Sequence, residues 1–184
     1  MVWVRRPAAA LLCLCLAVSA LADEETFDVP GGEVQPIYRL EYSPNASVKC
    51  NLSISAANPS EQWGSTLSII LSETEDVLTR SDTLRFVQLM LSVDTDRDSH
   101  IYYLIVNIDG ESHNYDFLRT GGEEPDAFVS LGFRDDGVFG YRARDGEDTF
   151  AQGYELEPRV QPKYATVVAS GLAGTVVCGI GSLE

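Results

Sequence analysis

The stretch Ser47-Val48-Lys49-Cys50-Asn51-Leu52-Ser53-Ile54 alternates apolar and polar residues without a break. Side chains in a strand point to opposite faces in turn. Val48, Cys50, Leu52 and Ile54 therefore share one face, and Lys49, Asn51 and Ser53 share the other. The inward face carries a cysteine that can be bridged. The outward face carries Asn51 in the sequon Asn51-Leu52-Ser53, a glycan acceptor pattern. The rest of the chain is read around this central strand.

Residues 1–22 have the three parts of a secretory signal in order. Arg5 and Arg6 form the charged end, Ala8 to Val18 the apolar centre, and Ala20-Leu21-Ala22 the cleavage site. The apolar run is too short to span a bilayer comfortably. The remainder, residues 23–184, fits one domain with a real core. Cys13 and Cys15 leave with the signal. Cys50 and Cys178 remain, and in an oxidising compartment a bridge between them is expected. It would close a loop of more than a hundred residues, about 4 to 5 kcal/mol in the chain-entropy model.

All 28 acidic residues but only 11 of the 13 Lys and Arg lie beyond residue 22, a formal charge of −17. Such a surface repels nucleic acid and anionic lipid. It suits a soluble lumenal or extracellular protein.

Turn signals divide the chain into short strands. Pro30-Gly31, Ser43-Pro44-Asn45, Gly121-Gly122, Asp135-Asp136-Gly137 and Asp145-Gly146 are turns. Asp109-Gly110 is a hairpin turn of the type I′ kind. Glu73 to Arg80 is a helical turn or a loop, and Trp63 is expected to cap the core. Thr83 to Val93 and Ile101 to Ile108 are apolar on both faces, as strands in the middle of a packed sheet are. No long apolar period of 3.6 residues occurs. The expectation is an all-β fold, an antiparallel β-sandwich of about ten short strands.

Tyr164 to Leu183 carries no charge, and its length would serve a membrane anchor. Its many Gly, Ser and Thr residues and the absence of a basic stop signal favour a final β-hairpin instead. In that hairpin Val176, Cys178 and Ile180 share a face, and Cys178 points into the same core as Cys50.

Motifs for chemistry are sparse. Asp94-Thr95-Asp96-Arg97-Asp98 spaces acids as a calcium loop does. An EF-hand would need Gly and Glu where Ser99 and Ile105 stand, so a solvated hairpin tip is expected. His100 and His113 are the only histidines, too few for a zinc site without carboxylates gathered by the fold. No nucleophile elbow and no phosphate loop occurs. The expectation is a protein that is not an enzyme and holds no cofactor or metal. Asn45-Ala46-Ser47 and Asn51-Leu52-Ser53 are acceptor sequons, so Asn45 and Asn51 are the expected glycosylation sites. Asn58-Pro59-Ser60 is blocked by its proline.

Phe27-Asp28-Val29-Pro30-Gly31-Gly32-x-Val34 resembles the start of the myeloid-derived growth factor family, where one extra residue precedes the Pro-Gly-Gly. The spacing to Cys50 and to Glu61-Gln62-Trp63 is also similar, and weaker similarity covers most of residues 26–180. An insertion lies between about Asn107 and Arg134. The resemblance implies a small secreted or ER–Golgi lumenal β-sandwich that acts as a paracrine factor, without catalytic residues. The family's bridge joins the cysteine matching Cys50 to one near Leu78. That position is not a cysteine here, so Cys178 would have to serve. The end Gly181-Ser182-Leu183-Glu184 does not fit the family's retrieval signal of the Lys-Asp-Glu-Leu kind, so secretion is expected.

Three functions are carried forward, one of them a hydrolase whose triad only the fold would assemble, tested at His100 and His113. The first is a non-enzymatic, monomeric secreted factor that binds a protein partner or receptor, with no nucleic acid and no stable membrane insertion. The alternative is a lectin-like or other ligand-binding module, with Tyr115 and Tyr141 as exposed aromatics beside acidic turns.

Overall fold

The computed structural model describes residues 23–60, 64–78, 84–95, 99–121, 126–145, 148–155 and 160–183. Trp63, the signal segment and Asp96 to Asp98 of the acidic hairpin tip lie outside the described residues. Among those described there is no helix. Twelve strands form: β1 (Glu25–Asp28), β2 (Gln35–Glu41), β3 (Ala46–Ala57), β4 (Ser65–Ser72), β5 (Phe86–Asp94) and β6 (Ser99–Ile108). They continue as β7 (Glu111–Gly121), β8 (Asp126–Phe133), β9 (Val138–Asp145), β10 (Asp148–Glu155), β11 (Tyr164–Ser170) and β12 (Leu172–Ser182).

The strands make two six-stranded antiparallel sheets packed as a sandwich. Sheet A runs β1-β12-β3-β8-β9-β10, and sheet B runs β2-β11-β4-β5-β6-β7. The expected class is found, with two more strands than about ten. Strand β3 sits inside sheet A as expected. Val48, Cys50 and Leu52 are at most 2% exposed, while Asn51 and Ser53 face outward. Opposite them the inner face of sheet B supplies Leu67, Ile69 and Leu71 from β4, and Val87, Leu89 and Leu91 from β5. Each of these strands turns alternate apolar residues inward, and burying that face is what holds the layers together.

The local turn signals act as their residues require. Asp109 (φ 53°) and Gly110 (φ 88°) both adopt positive φ, the type I′ geometry, between β6 and β7. The Glu33 amide donates to the Pro30 carbonyl at 3.2 Å, with Gly32 at φ 85°, as in a type II turn. Glu73 to Leu78 is a loop.

The expected final hairpin does not form. β11 pairs with β2 and β4 in sheet B, whereas β12 pairs with β1 and β3 in sheet A. One residue, Gly171 at φ 57°, carries the chain from one layer to the other. A single residue cannot make the two-residue loop that folds a strand back on its neighbour. The Asn58 amide donates to the Gly171 carbonyl at 2.7 Å and holds the crossing. The uncharged run of residues 164–183 is thus largely spent on two core strands, and no helix among the described residues is long and apolar enough to cross a membrane.

Cys50 and Cys178 are direct partners across β3 and β12, with Cα atoms 4.2 Å apart, and they form a disulfide spanning 128 residues. Their separation is that of a close, non-hydrogen-bonded antiparallel pair. Both cysteines point inward at no more than 1% exposure. Val176 shares their buried face, but Ile180 further along is 42% exposed.

Candidate functional site

The outer face of sheet A carries a groove of about 690 Å³. Its floor follows from strand register. Gly181 on β12 pairs with Ser47, Ser47 with Gly132, Gly132 with Gly140, and Gly140 with Gly153. Four glycines and one serine therefore cross five strands in one row. With almost no side chains the row forms a trough, although Ser47 and Gly132 are buried and the Lys49 side chain lies over Gly181. Leu183 covers part of it: a Cβ built at Gly132 would strike Leu183 Cδ2. At Gly153 a Cβ would meet only the Phe139 carbonyl at 3.6 Å, so that end is open.

The next row is polar. Lys49 pairs with Ser130, and Ser130 pairs with Arg142. Adjacent strands lie about 4.8 Å apart, so Ser130 stands between the Lys49 and Arg142 backbones, while the Lys49 side chain reaches back over Gly181 on β12. Lys49 and Arg142 are half-buried. The third row holds Asn51, Phe128 and Arg144. The Arg144 guanidinium lies 5.8 Å from the centre of the Phe128 ring, a cation–π distance. A second hollow of about 480 Å³ shares Phe128 with the groove and is bounded by Glu24, Asp126 and Arg144. At the opposite end Arg134 pairs with Asp136 at 2.6 Å.

Charge is thus unevenly spread. The chain is strongly acidic, yet Lys49, Arg134 and Arg142 line the groove and no carboxylate among the described residues does. The cationic and hydroxyl side chains of this face can hold a polar ligand by hydrogen bonds, with Phe128 as an apolar wall.

The expected sites are placed as follows. Asn45 is exposed at φ 67° just before β3 and lines the groove, its side-chain oxygen accepting from the Asp135 amide at 3.3 Å. Asn51 is exposed on the same face, beside the second hollow. His100 is 4% exposed and pairs with Thr120, while His113 is exposed and pairs with Val106. Six residues of β6 separate these positions, about 20 Å of strand, so the two histidines form no common site. No cluster of three or more metal-ligating side chains occurs among the described residues. Asp94 lies 3.5 Å from Arg119.

Tyr141 corrects an expectation. It is 6% exposed and sits in the core, because Phe139, Tyr141 and Ala143 share the inner face of β9. The side chain of Tyr115 lies outside the described residues. Sequence reasoning also missed the glycine row. The one local signal is Gly140-x-Arg142-x-Arg144, the outward half of the alternation that buries Tyr141.

No family model matches the chain, and no curated protein matches it. Solved structures do. A legume lectin-like domain from Entamoeba histolytica superposes with a TM-score of 0.54 at 10% identity, covering 89% of this chain and 91% of that one. The likeness lies in the two-sheet β-sandwich fold. A functionally unknown protein from Saccharomyces cerevisiae superposes at 0.51 and 10% identity, covering 88% of each chain. Scytalido-glutamic peptidase bound to a peptide-based transition state analogue superposes at 0.52 and 11% identity, covering 81% and 79%.

Proposed function

We propose that this protein is a secreted or lumenal, non-enzymatic module that binds saccharide in the groove of sheet A. The observation that carries the reading is the alignment of a glycine trough with the Lys49–Ser130–Arg142 row. Sugars present hydroxyls in a ring, and a floor almost without side chains lets such a ring approach the flanking polar side chains closely. The fold supports the reading, since it is shared with a legume lectin-like domain. A sandwich of this kind also hosts a glutamic peptidase. The cationic and hydroxyl side chains of the groove favour binding of a polar ligand as the reading. The buried Cys50–Cys178 bridge fits an oxidising compartment. Asn45 and Asn51 remain the proposed glycan acceptors.

The test is retention of purified protein on an array of neutral, carboxylated and sulfated oligosaccharides. Saccharide-dependent retention is expected, and it should fall when free saccharide competes. Retention of none of them would overturn the reading. The resemblance to the myeloid-derived growth factor family favours the second reading, a diffusible factor with a protein receptor. Receptor-dependent signalling by protein that binds no saccharide would establish that one instead.

A further inference from the structure

We infer that the second hollow of sheet A is filled by the protein's own N-glycan, with the first N-acetylglucosamine on Asn51 lying against Phe128. This inference rests on the reading of Asn51 as a glycan acceptor, and not on saccharide binding in the neighbouring groove.

Strand register builds the hollow around Asn51. Val177 on β12 and Phe128 on β8 are its direct partners on either side of β3. All three bound the hollow of about 480 Å³, a volume in the range of ligand pockets. Val177 and Phe128 are half-buried apolar side chains on an outer sheet face, and the two sheets supply no third layer to cover them. One row away, Thr175, Ser53 and Asp126 line up across the same three strands and bound the same hollow. The hollow therefore sets an apolar row beside a row of hydroxyls and a carboxylate.

An N-acetylglucosamine ring matches both rows. Its C–H faces are apolar, and its rim carries hydroxyls and an acetamide. The sequon Asn51-Leu52-Ser53 supplies the attachment. The Asn51 side-chain nitrogen loses a proton and displaces the lipid diphosphate from C1 of a lipid-linked oligosaccharide. The sugar so attached starts from the position opposite Phe128, where paired Cβ atoms lie about 4.5 to 5.5 Å apart. Its apolar face covers the aromatic side chain, and its hydroxyls donate to the carboxylates of Asp126 and Glu24 at the edge of the hollow. On the far side, the Arg144 guanidinium lies 5.8 Å from the centre of the Phe128 ring and backs it from β9. Charge suits this occupant, because the first sugars of an N-glycan are neutral and the two carboxylates do not repel them. Tethering raises the local concentration of the ring, so few contacts suffice to seat it.

Glycopeptide mapping of protein secreted from eukaryotic cells should find Asn51 occupied, and an unmodified Asn51 would overturn the inference. The contact is tested on the same protein trimmed by an endoglycosidase to a single N-acetylglucosamine at each occupied site. Protons of the Asn51-linked sugar should show an upfield ring-current shift in the folded protein, absent from Phe128→Leu. In urea melts, Phe128→Leu should lower the folding equilibrium constant about fivefold more in this protein than in Ser53→Ala. Ser53→Ala removes the sequon and keeps Asn51. An occupied Asn51 whose sugar shows no such shift, or an equal cost of Phe128→Leu in both backgrounds, would place the glycan in solvent and overturn the inference. Array retention reports on the neighbouring groove alone, so either reading can fail while the other stands.

Discussion

The Phe133 amide donates a hydrogen bond to the Tyr42 hydroxyl at 2.9 Å, joining residues 91 positions apart. The same hydroxyl donates to the Ala46 carbonyl at 2.5 Å. Tyr42 follows β2 of sheet B, while Ala46 and Phe133 begin β3 and end β8 of sheet A. One phenol thus ties a corner of the two layers together. Tyr42→Phe keeps the ring and strands a buried amide, a loss of about 1 to 3 kcal/mol in urea melts.

The same phenol gives a pH limit. Burial pushes its pKa up to about 12, against the pull of its bond at Phe133. The unfolded value is about 10. The folded state therefore binds the extra proton between those values. The contribution is complete below about pH 10 and is lost as pH rises through about 12. Melts of the native protein should fall across that window, and the difference from Tyr42→Phe isolates this group. A difference that is flat from pH 9 to 12 would contradict the assignment.

The Cys50–Cys178 bridge should dominate resistance to denaturant. A closed loop of 128 residues corresponds to about 5 kcal/mol in the chain-entropy model, with strain lowering the measured value. Cys50→Ala/Cys178→Ala, or reduction, should lower the urea midpoint accordingly. Thiol titration of native protein should find neither residue 50 nor residue 178 free.

Gly171→Ala should be costly. Its φ of 57° is strained for any residue with a Cβ, by about 1 to 2 kcal/mol. The new atom would also stand 2.8 Å from the Asn58 carbonyl. Gly64→Ala is the control. Its Cβ would meet only Ser92 Oγ at 3.6 Å, and its effect should stay within about 1 kcal/mol.

Gly153→Val separates fold from groove. The position is on the outer strand of sheet A, and a Cβ there has room. A β-branched residue suits a strand, so the melt should hold while saccharide binding falls at least tenfold. Unchanged binding would place the ligand elsewhere.

Much of this architecture was legible residue by residue. The alternation at Val48, Cys50 and Leu52 marked the core face of β3, and Asp109-Gly110 marked its turn type, because both depend on neighbours in sequence. The partner of a strand does not. Gly171 carries a turn signal whether the chain folds back or crosses between layers, so a hairpin was expected where a crossing exists. The groove was hidden for the same reason. Ser47, Gly132, Gly140 and Gly153 become neighbours only through register, which the whole sheet decides. Tyr141 was different. Its alternation with Gly140 and Arg142 already placed it inside, and its aromatic character drew the functional reading instead.

The crossing at Gly171 has a consequence for biosynthesis. β11 separates β2 from β4, and β12 separates β1 from β3. Neither sheet can close until the ribosome has delivered residues 164–182, and Cys50 must wait as a thiol through nearly all of translation. Nascent chains will expose two unfinished half-sandwiches with open strand edges. Oxidative folding helpers and holding chaperones should therefore meet this polypeptide late, as a finished but still open chain.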